Sequence, residues 1–369
     1  MKVLFTVQGE GRGHMTQAIA MSGMLQRHGH RVAAVLVGAN QSRSLPAFFE
    51  QAFSVPVRHI ASPGFAFKNG GGVSLARSLV GLARGLPAYQ DALATLSETI
   101  QAIQPDLIVN FLDPLMGLCN LLRPHAVPVL AVGHQFMLEH PGFVKVKKFP
   151  LQQLAMRQFL RLTGARSARL ALSFYPAPNL PQRNLFVCPP ILRRQLFELQ
   201  SDSSGGYLLV YLLNHGYAGQ IIHWHREHPD IPVHCYYDKS GAPPEDNYDG
   251  GLVFHRLDGE KFLRMMARCR GVACTAGFES VSEAAYLGKP LLVVPVENHV
   301  EQYLNASDAE QVGIGVRDTA FRLSRLLGPA NGQAQSGFQQ WVQQAEAIVM
   351  EVAELTTSRR TRPARAERG

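Results

Sequence analysis

The sequence predicts an α/β protein of two domains, on three observations. At 369 residues the chain is longer than one ordinary hydrophobic core serves. Short apolar runs of strand length alternate with stretches of helical periodicity through both halves. Polar residues crowd behind one of those runs, residues 291–294, at the edge of a parallel sheet where ligands bind.

The first strand covers residues 2–7 (KVLFTV) and enters a polar turn from Gln8 to His14. A helix near 15–28 follows, with Met15, Ala18, Ile19, Ser22 and Leu25 at helical spacing and Gly29 ending it. Strand, glycine-rich turn and helix in that order present backbone amides to anions. The turn does not have Gly-x-Gly-x-x-Gly spacing, and the next strand, 32–37, ends in Gly38-Ala39-Asn40 with no acid for an adenosine ribose. A nicotinamide or flavin site is therefore disfavoured. Residues 65–73 (FAFKNGGGV) form a glycine-rich loop before a helix near 75–101. Strands at 107–110 and 129–132 enclose a helix near 115–122. Asp113 follows the first of these strands and His134 the second, so in a parallel sheet both project from the same edge as His14.

Residues 186–197 (FVCPPILRRQLF) read as the crossing between domains, and a second unit begins with the strand 207–213. Strands at 233–237, 252–254 and 272–275 follow, with a helix at 259–269 before the last. Residues 275–306 then carry the densest pattern. Gly277 permits close backbone approach, Ser280 stands where a helix should begin, and Glu283 lies three positions on, on the same face. Gly288 and Pro290 stop that helix, and 291–294 is a strand buried on both faces. Glu301, Gln302 and Asn305 come after it. Ser280 and Glu283 also fit a capping box, a purely structural use of the pair. A last helix is expected over 338–355, with Trp341 on its apolar face.

The run Gly277, Ser280, Glu283, Gly288, Pro290, Glu301, Gln302, Asn305 resembles the donor-nucleotide signature of GT-B glycosyltransferases. That group includes the UDP-glucuronosyl and UDP-glucosyl transferases and the lipid II N-acetylglucosaminyltransferase. The resemblance implies two Rossmann-like domains facing across a cleft, with the acceptor on the first and the donor on the second. It implies phosphate at Gly277 and Ser280, ribose at Glu283, and the donor sugar at Glu301 and Gln302, with Asn305 completing the motif. The chain departs from the plant enzymes at Thr275, where they carry a phosphate-contacting His. The turn with Gly11, Gly13 and His14 is similar to the acceptor-side turn of the lipid II enzyme, and His134 would share that side. By the same resemblance His14 is the general base, a role suited to an imidazole; the alternative is a histidine that only caps or packs. Asp113 either orients His14 or caps the helix ahead of Pro114. The implied reaction moves a sugar from a UDP-sugar, or a deoxythymidine diphosphate sugar, to an acceptor hydroxyl with inversion. It needs no metal and no cofactor. The rivals are a nucleotide-sugar 2-epimerase of the same fold and a non-catalytic nucleotide-sugar binder.

The domain boundaries expected are 1–197, 198–333, a returning helix at 334–355, and a disordered basic tail at 356–369. That tail holds five Arg against one Glu, so it supplies half of the net charge of +8, and the remainder is modest for a nucleic-acid binder. The tract 145–169 carries Lys145, Lys147, Lys148, Arg157, Arg161, Arg166 and Arg169 with no acid, interleaved with Leu151, Leu154 and Phe159. It is either a solvated helix face or a peripheral contact with an anionic membrane. There is no apolar run of spanning length and no signal-peptide pattern, and five cysteines without C-x-x-C spacing suit reduced thiols. A cytoplasmic protein, or one peripheral on the inner membrane face, is expected. His223, His225 and His228 invite a metal reading, but helical geometry turns 223 and 225 apart.

Overall fold

The computed structural model describes residues 1–39, 45–63, 75–213, 215–237, 241, 243–328 and 332–358, with 75–84 and 332–336 described by backbone alone. The loop expected at 65–73 and the tail from 359 lie outside these residues.

Seven strands of the first half form one sheet: β1 (Lys2–Gln8), β2 (Arg31–Ala39), β3 (Val57–Ala61), β4 (Leu107–Phe111), β5 (Val129–Gly133), β6 (Ala168–Leu172) and β7 (Leu185–Cys188). Their order is β3-β2-β1-β4-β5-β6-β7, parallel throughout. The second sheet holds β8 (Leu208–Leu212), β9 (Val233–Tyr237), β10 (Glu245–Asn247), β11 (Leu252–Arg256), β12 (Gly271–Thr275), β13 (Leu291–Val294) and β14 (Val316–Arg317). Its order is β10-β11-β9-β8-β12-β13-β14, with only the edge pair β10 and β11 antiparallel. Central strands such as β4 and β13 are buried along their whole length because helices cover both faces.

The covering helices are α1 (Arg12–Arg27), α2 (Ala47–Glu50), α3 (Leu75–Ile103), α4 (Pro114–Leu122), α5 (Pro150–Thr163) and α6 (Arg194–Phe197) in the first half. The second half has α7 (Ala218–Glu227), α8 (Gly259–Arg268), α9 (Phe278–Tyr286) and α10 (Val300–Gln311), and the chain ends in α11 (Gly332–Val342) and α12 (Ala345–Ser358). Strand order reverses at β1, which pairs with both β2 and β4, and at β8, which pairs with both β9 and β12. Crevices for ligands open at such reversals, beyond the carboxyl ends of the strands. The turn after β1 reaches α1 through Gly11, whose φ of 118° no residue with a Cβ adopts readily.

Three expectations are corrected. Helix α9 begins at Phe278 with Gly277 as its N-cap and no side-chain cap, so Ser280 lies inside the helix and there is no capping box. The single helix expected at 338–355 is two, because the chain turns between Val342 and Ala345. The second of them runs to Ser358, so 356–358 are helical rather than tail.

These last helices return to the first half. Arg27 of α1 holds Glu346 through bonds of 2.6 and 3.0 Å, and α12 packs on β5 and β7. Trp341 is buried and donates its indole N–H to the carbonyl of Ser173 at 3.0 Å. Trp341→Phe is expected to cost about 1–2 kcal/mol through the unpaired carbonyl, and Trp341→Ala about 3–5 kcal/mol through the cavity. Urea unfolding of both variants checks this; a Trp341→Phe variant as stable as the wild type would mean the indole hydrogen bond contributes nothing.

Candidate active site

A cleft of about 1710 Å³ opens between the carboxyl edges of the two sheets. It is lined from the first half by Gly11, Gly13, His14 and His134, and from the second by Gly277, Ser280, Glu283, Glu301 and Gln302. Nine of the eleven residues singled out in the sequence thus face one space. Asp113 and Asn305 do not. Asn305 is buried and donates to the Ala276 carbonyl at 3.0 Å, which fixes the approach of the chain to α9.

Asp113 is the N-cap of α4. Its Oδ1 accepts from the Leu115 amide at 2.8 Å and from the Ser62 hydroxyl at 2.6 Å. It sits so close under β2 that a Cβ on Gly38 would lie 2.0 Å from its Oδ2. Burial pushes its carboxyl up to about 6 against those hydrogen bonds. The capping role is therefore the one the structure gives it, and it does not orient His14.

His14 stands at the start of α1, where burial lowers its pKa while Glu301 and then Gln17 act the other way. The ring is neutral near neutral pH, the form a base requires. Two further pairs cross the cleft. Gln17 of α1 donates to Glu279 at 2.5 Å, and Gln135 after β5 donates to Glu301 at 3.0 Å.

On the second half, Glu283 is 2% exposed and accepts from Arg193, through Nε at 2.9 Å and Nη2 at 2.6 Å, both on Oε1. Arg193 belongs to the segment between β7 and α6, ninety residues away in the chain, and also lines the cleft. It was missed as a site residue, although a Pro-x-x-Arg run at the domain crossing marks it. Gln302 anchors the loop after β13 by accepting from the Val296 amide at 2.9 Å, and His299 caps α10 beside it. Thr275 accepts from the Leu213 amide at 3.3 Å, so its hydroxyl fastens β12 to the end of β8.

His134 lies at the rim nearest the second half. Its ring stacks on Phe278 at 4.1 Å, Nδ1 bonds to the Leu172 carbonyl at 2.7 Å, and Nε2 is 4.0 Å from Asp308 of α10. Burial lowers the imidazole to about 4 and raises Asp308 to about 7. His134 thus packs under the start of α9, a structural post more than an acceptor contact. The three histidines around α7 take separate partners: His223 faces Glu227 at 3.5 Å, His225 faces Asp249 at 3.1 Å, and His228 stacks on Trp224.

Two facing parallel α/β sheets with polar loops converging on one cleft define the GT-B class of glycosyltransferases. The chain belongs to glycosyl transferase family 1, whose model matches residues 1–326. It is similar to an uncharacterized glycosyltransferase of Methanosarcina acetivorans, 24% identical over 341 residues that span 86% of this chain and 83% of that one. The fold is similar to the glycotransferase of kitacinnamycin, with a TM-score of 0.64, 14% identity, and coverage of 97% of this chain and 98% of that one. It is similar also to UGT89C1 of Arabidopsis thaliana complexed with UDP, with a TM-score of 0.63, 15% identity, and coverage of 97% and 99%. The protein is a glycosyltransferase that takes its sugar from a nucleotide sugar. No helix of the described residues is long and apolar enough to cross a membrane.

The raised pKa of Asp308 fixes a sign for stability. The folded state holds a proton that the unfolded chain releases near pH 4, so this group's contribution is lost as pH rises from about 4 through about 7. Asp308→Asn is expected to gain relative to the wild type across that window, by roughly 2–4 kcal/mol. Melting curves at pH 5 and pH 8 check it; a difference that does not change with pH would count against a protonated Asp308.

Proposed function

We propose that this protein transfers a hexose from a UDP-sugar to an acceptor hydroxyl with inversion, using His14 as the base. The observation that carries the reading is the position of His14, neutral and at the head of α1, across one cleft from Gly277, Ser280 and Glu283. In the proposed reaction the imidazole takes the acceptor proton and the acceptor oxygen bonds to the anomeric carbon. The bond from that carbon to the diphosphate breaks, and its electron pair leaves with the diphosphate. The first-turn amides of α9 and the guanidinium of Arg193 meet the charge that develops. Glu283 takes ribose hydroxyls, and Glu301 with Gln302 takes the sugar. A UDP complex of a fold neighbour agrees with this choice of nucleotide.

His14→Ala is expected to leave UDP affinity nearly unchanged and to lower transfer by roughly two to four orders of magnitude. Glu283→Ala is expected to do the opposite, weakening UDP binding by about 1–3 kcal/mol. Product analysis with and without acceptor, on each variant, reads both effects. Full-rate transfer by His14→Ala would remove it from the chemistry, and sugar released as an epimer without acceptor would replace transfer by epimerisation.

Helix α5 supports a peripheral contact with an anionic membrane on the cytoplasmic side. One of its faces lines the cleft through Gln152, Ala155, Met156 and Phe159. Another exposes Leu151 at 71% and Leu154 at 54%, directly after the exposed Lys145, Lys147 and Lys148. Apolar side chains beside a cationic cluster suit an anionic lipid surface. The protein is expected to sediment with phosphatidylglycerol vesicles and not with phosphatidylcholine vesicles, and Leu151→Glu with Leu154→Glu to stay in solution. Equal behaviour of the double variant and the wild type would assign these leucines to something else.

A further inference from the structure

Glu279 has no part in the reaction described above, yet it lines the cleft. It is the second residue of α9, between Phe278 and Ser280, at the helix start where the diphosphate is placed. It is 9% exposed; its Oε1 accepts from Gln17, and its Oε2 is buried with no hydrogen-bond partner among the described residues. The acceptor turn presses on it from the other side, since a Cβ on Gly13 would lie 3.4 Å from its Cγ.

A helix start favours a carboxylate. Here burial outweighs that preference and pushes the group up to about 8, with Glu283 adding to the rise and Gln17 and Arg193 opposing it. The other charged or titratable groups lining the cleft are Glu10, Arg12 and His14 at the turn into α1, His134 after β5, Tyr211 of β8, Glu245 of β10, His255 and Arg256 of β11, Asp258, Glu260 and Lys261 at the start of α8, and His299 and Glu301 at the start of α10. His14, His134 and His299 are all held below the ordinary imidazole value by burial, and Arg193 is committed to Glu283. Of the cations lining the cleft, Arg193 is the one that acts on Glu279, and it is already paired with Glu283, so an ionised Glu279 would add negative charge against an incoming diphosphate in a site where water screens little. A neutral acid instead offers one hydroxyl donor.

We propose that Glu279 binds the donor diphosphate as a neutral carboxylic acid, its Oε2 hydroxyl donating to a phosphate oxygen while Gln17 holds Oε1. The proposal rests on the nucleotide-sugar reading of the cleft. It makes donor binding take up a proton in alkaline solution, because only the protonated form accommodates the anion.

Calorimetric titration with UDP between about pH 7.5 and 9.5 tests this, over a range where the diphosphate is fully ionised. The wild type is expected to lose affinity by up to about tenfold per pH unit above pH 8, and to take up close to one proton per UDP at about pH 9 in buffers of different ionisation enthalpy. Glu279→Gln keeps an acceptor toward Gln17 and a donor toward phosphate, so its affinity is expected to stay flat with no proton uptake. The same alkaline loss in Glu279→Gln as in the wild type would overturn the proposal. So would tighter binding by Glu279→Gln at every pH, which would mean an ionised, repelling carboxylate. Should that variant not fold, wild-type proton uptake at about pH 9 decides by its presence or absence. Failure of the wild type to bind UDP or deoxythymidine diphosphate at any pH would remove the donor reading itself, and the proposal with it; UDP binding without proton uptake removes the proposal alone.

Discussion

A parallel sheet can be built only with a crossover after every strand, and this constraint organises the molecule. Every turn that follows a strand then emerges at the same edge, so side chains far apart in sequence converge without any local motif joining them. Two such sheets with facing edges double the effect. His14 after β1, Gln135 after β5, Gly277 after β12 and Glu301 after β13 share one cleft for this reason. The return of the carboxyl terminus holds the halves in register, through Trp341 on Ser173 and Glu346 on Arg27.

The same geometry buries acids. Asp113, Glu279 and Asp308 each have a pKa raised by loss of water, and none has a cation as a hydrogen-bond partner. Arg193 instead serves Glu283. This division separates two kinds of carboxyl in one cleft. Glu283 is paired with a cation, whereas burial pushes the Glu279 carboxyl up to about 8. Two carboxyls four positions apart on one helix thus differ through their partners, a guanidinium for one and an amide for the other, and not through the helix that carries them.

Much of the fold was legible in the sequence where burial on both faces leaves continuous apolar runs, as in β1, β4, β12 and β13. The strands that escaped lie at or near sheet edges; most are partly polar, whereas β7, LFVC, is apolar but overlaps the run read as the domain crossing. β3 reads VRHIA and β10 reads EDN, and neither alternates cleanly enough to stand out. The second half's side of the cleft was legible because Gly277, Ser280, Glu283, Glu301 and Gln302 lie within one short stretch. What sequence could not supply is pairing across distance. Glu283 looked like half of a capping box with Ser280, and its partner is Arg193. Asp113 shares an edge with His14 in the topology, but the Ser62 hydroxyl and the Leu115 amide take its carboxylate. The break between α11 and α12 left no mark either, since Gln343-Gln344 is compatible with helix.

The contacts that cross the cleft differ in strength, and the difference bears on how a donor enters. Gln17 with Glu279 and Gln135 with Glu301 pair a neutral amide with a carboxyl. Such bonds contribute on the order of 1 kcal/mol each, so a ligand that replaces them displaces little. The Arg193 contact with Glu283 is charge-assisted and roughly twice as strong as a neutral pair. In the proposed donor complex, ribose is therefore better served by sharing Glu283 than by evicting the guanidinium. The geometry permits it: both arginine bonds fall on Oε1, and Oε2 carries neither. In that proposed complex Arg193 stays in place and helps to offset the charge of the diphosphate, while the weaker glutamine contacts give way to the sugar.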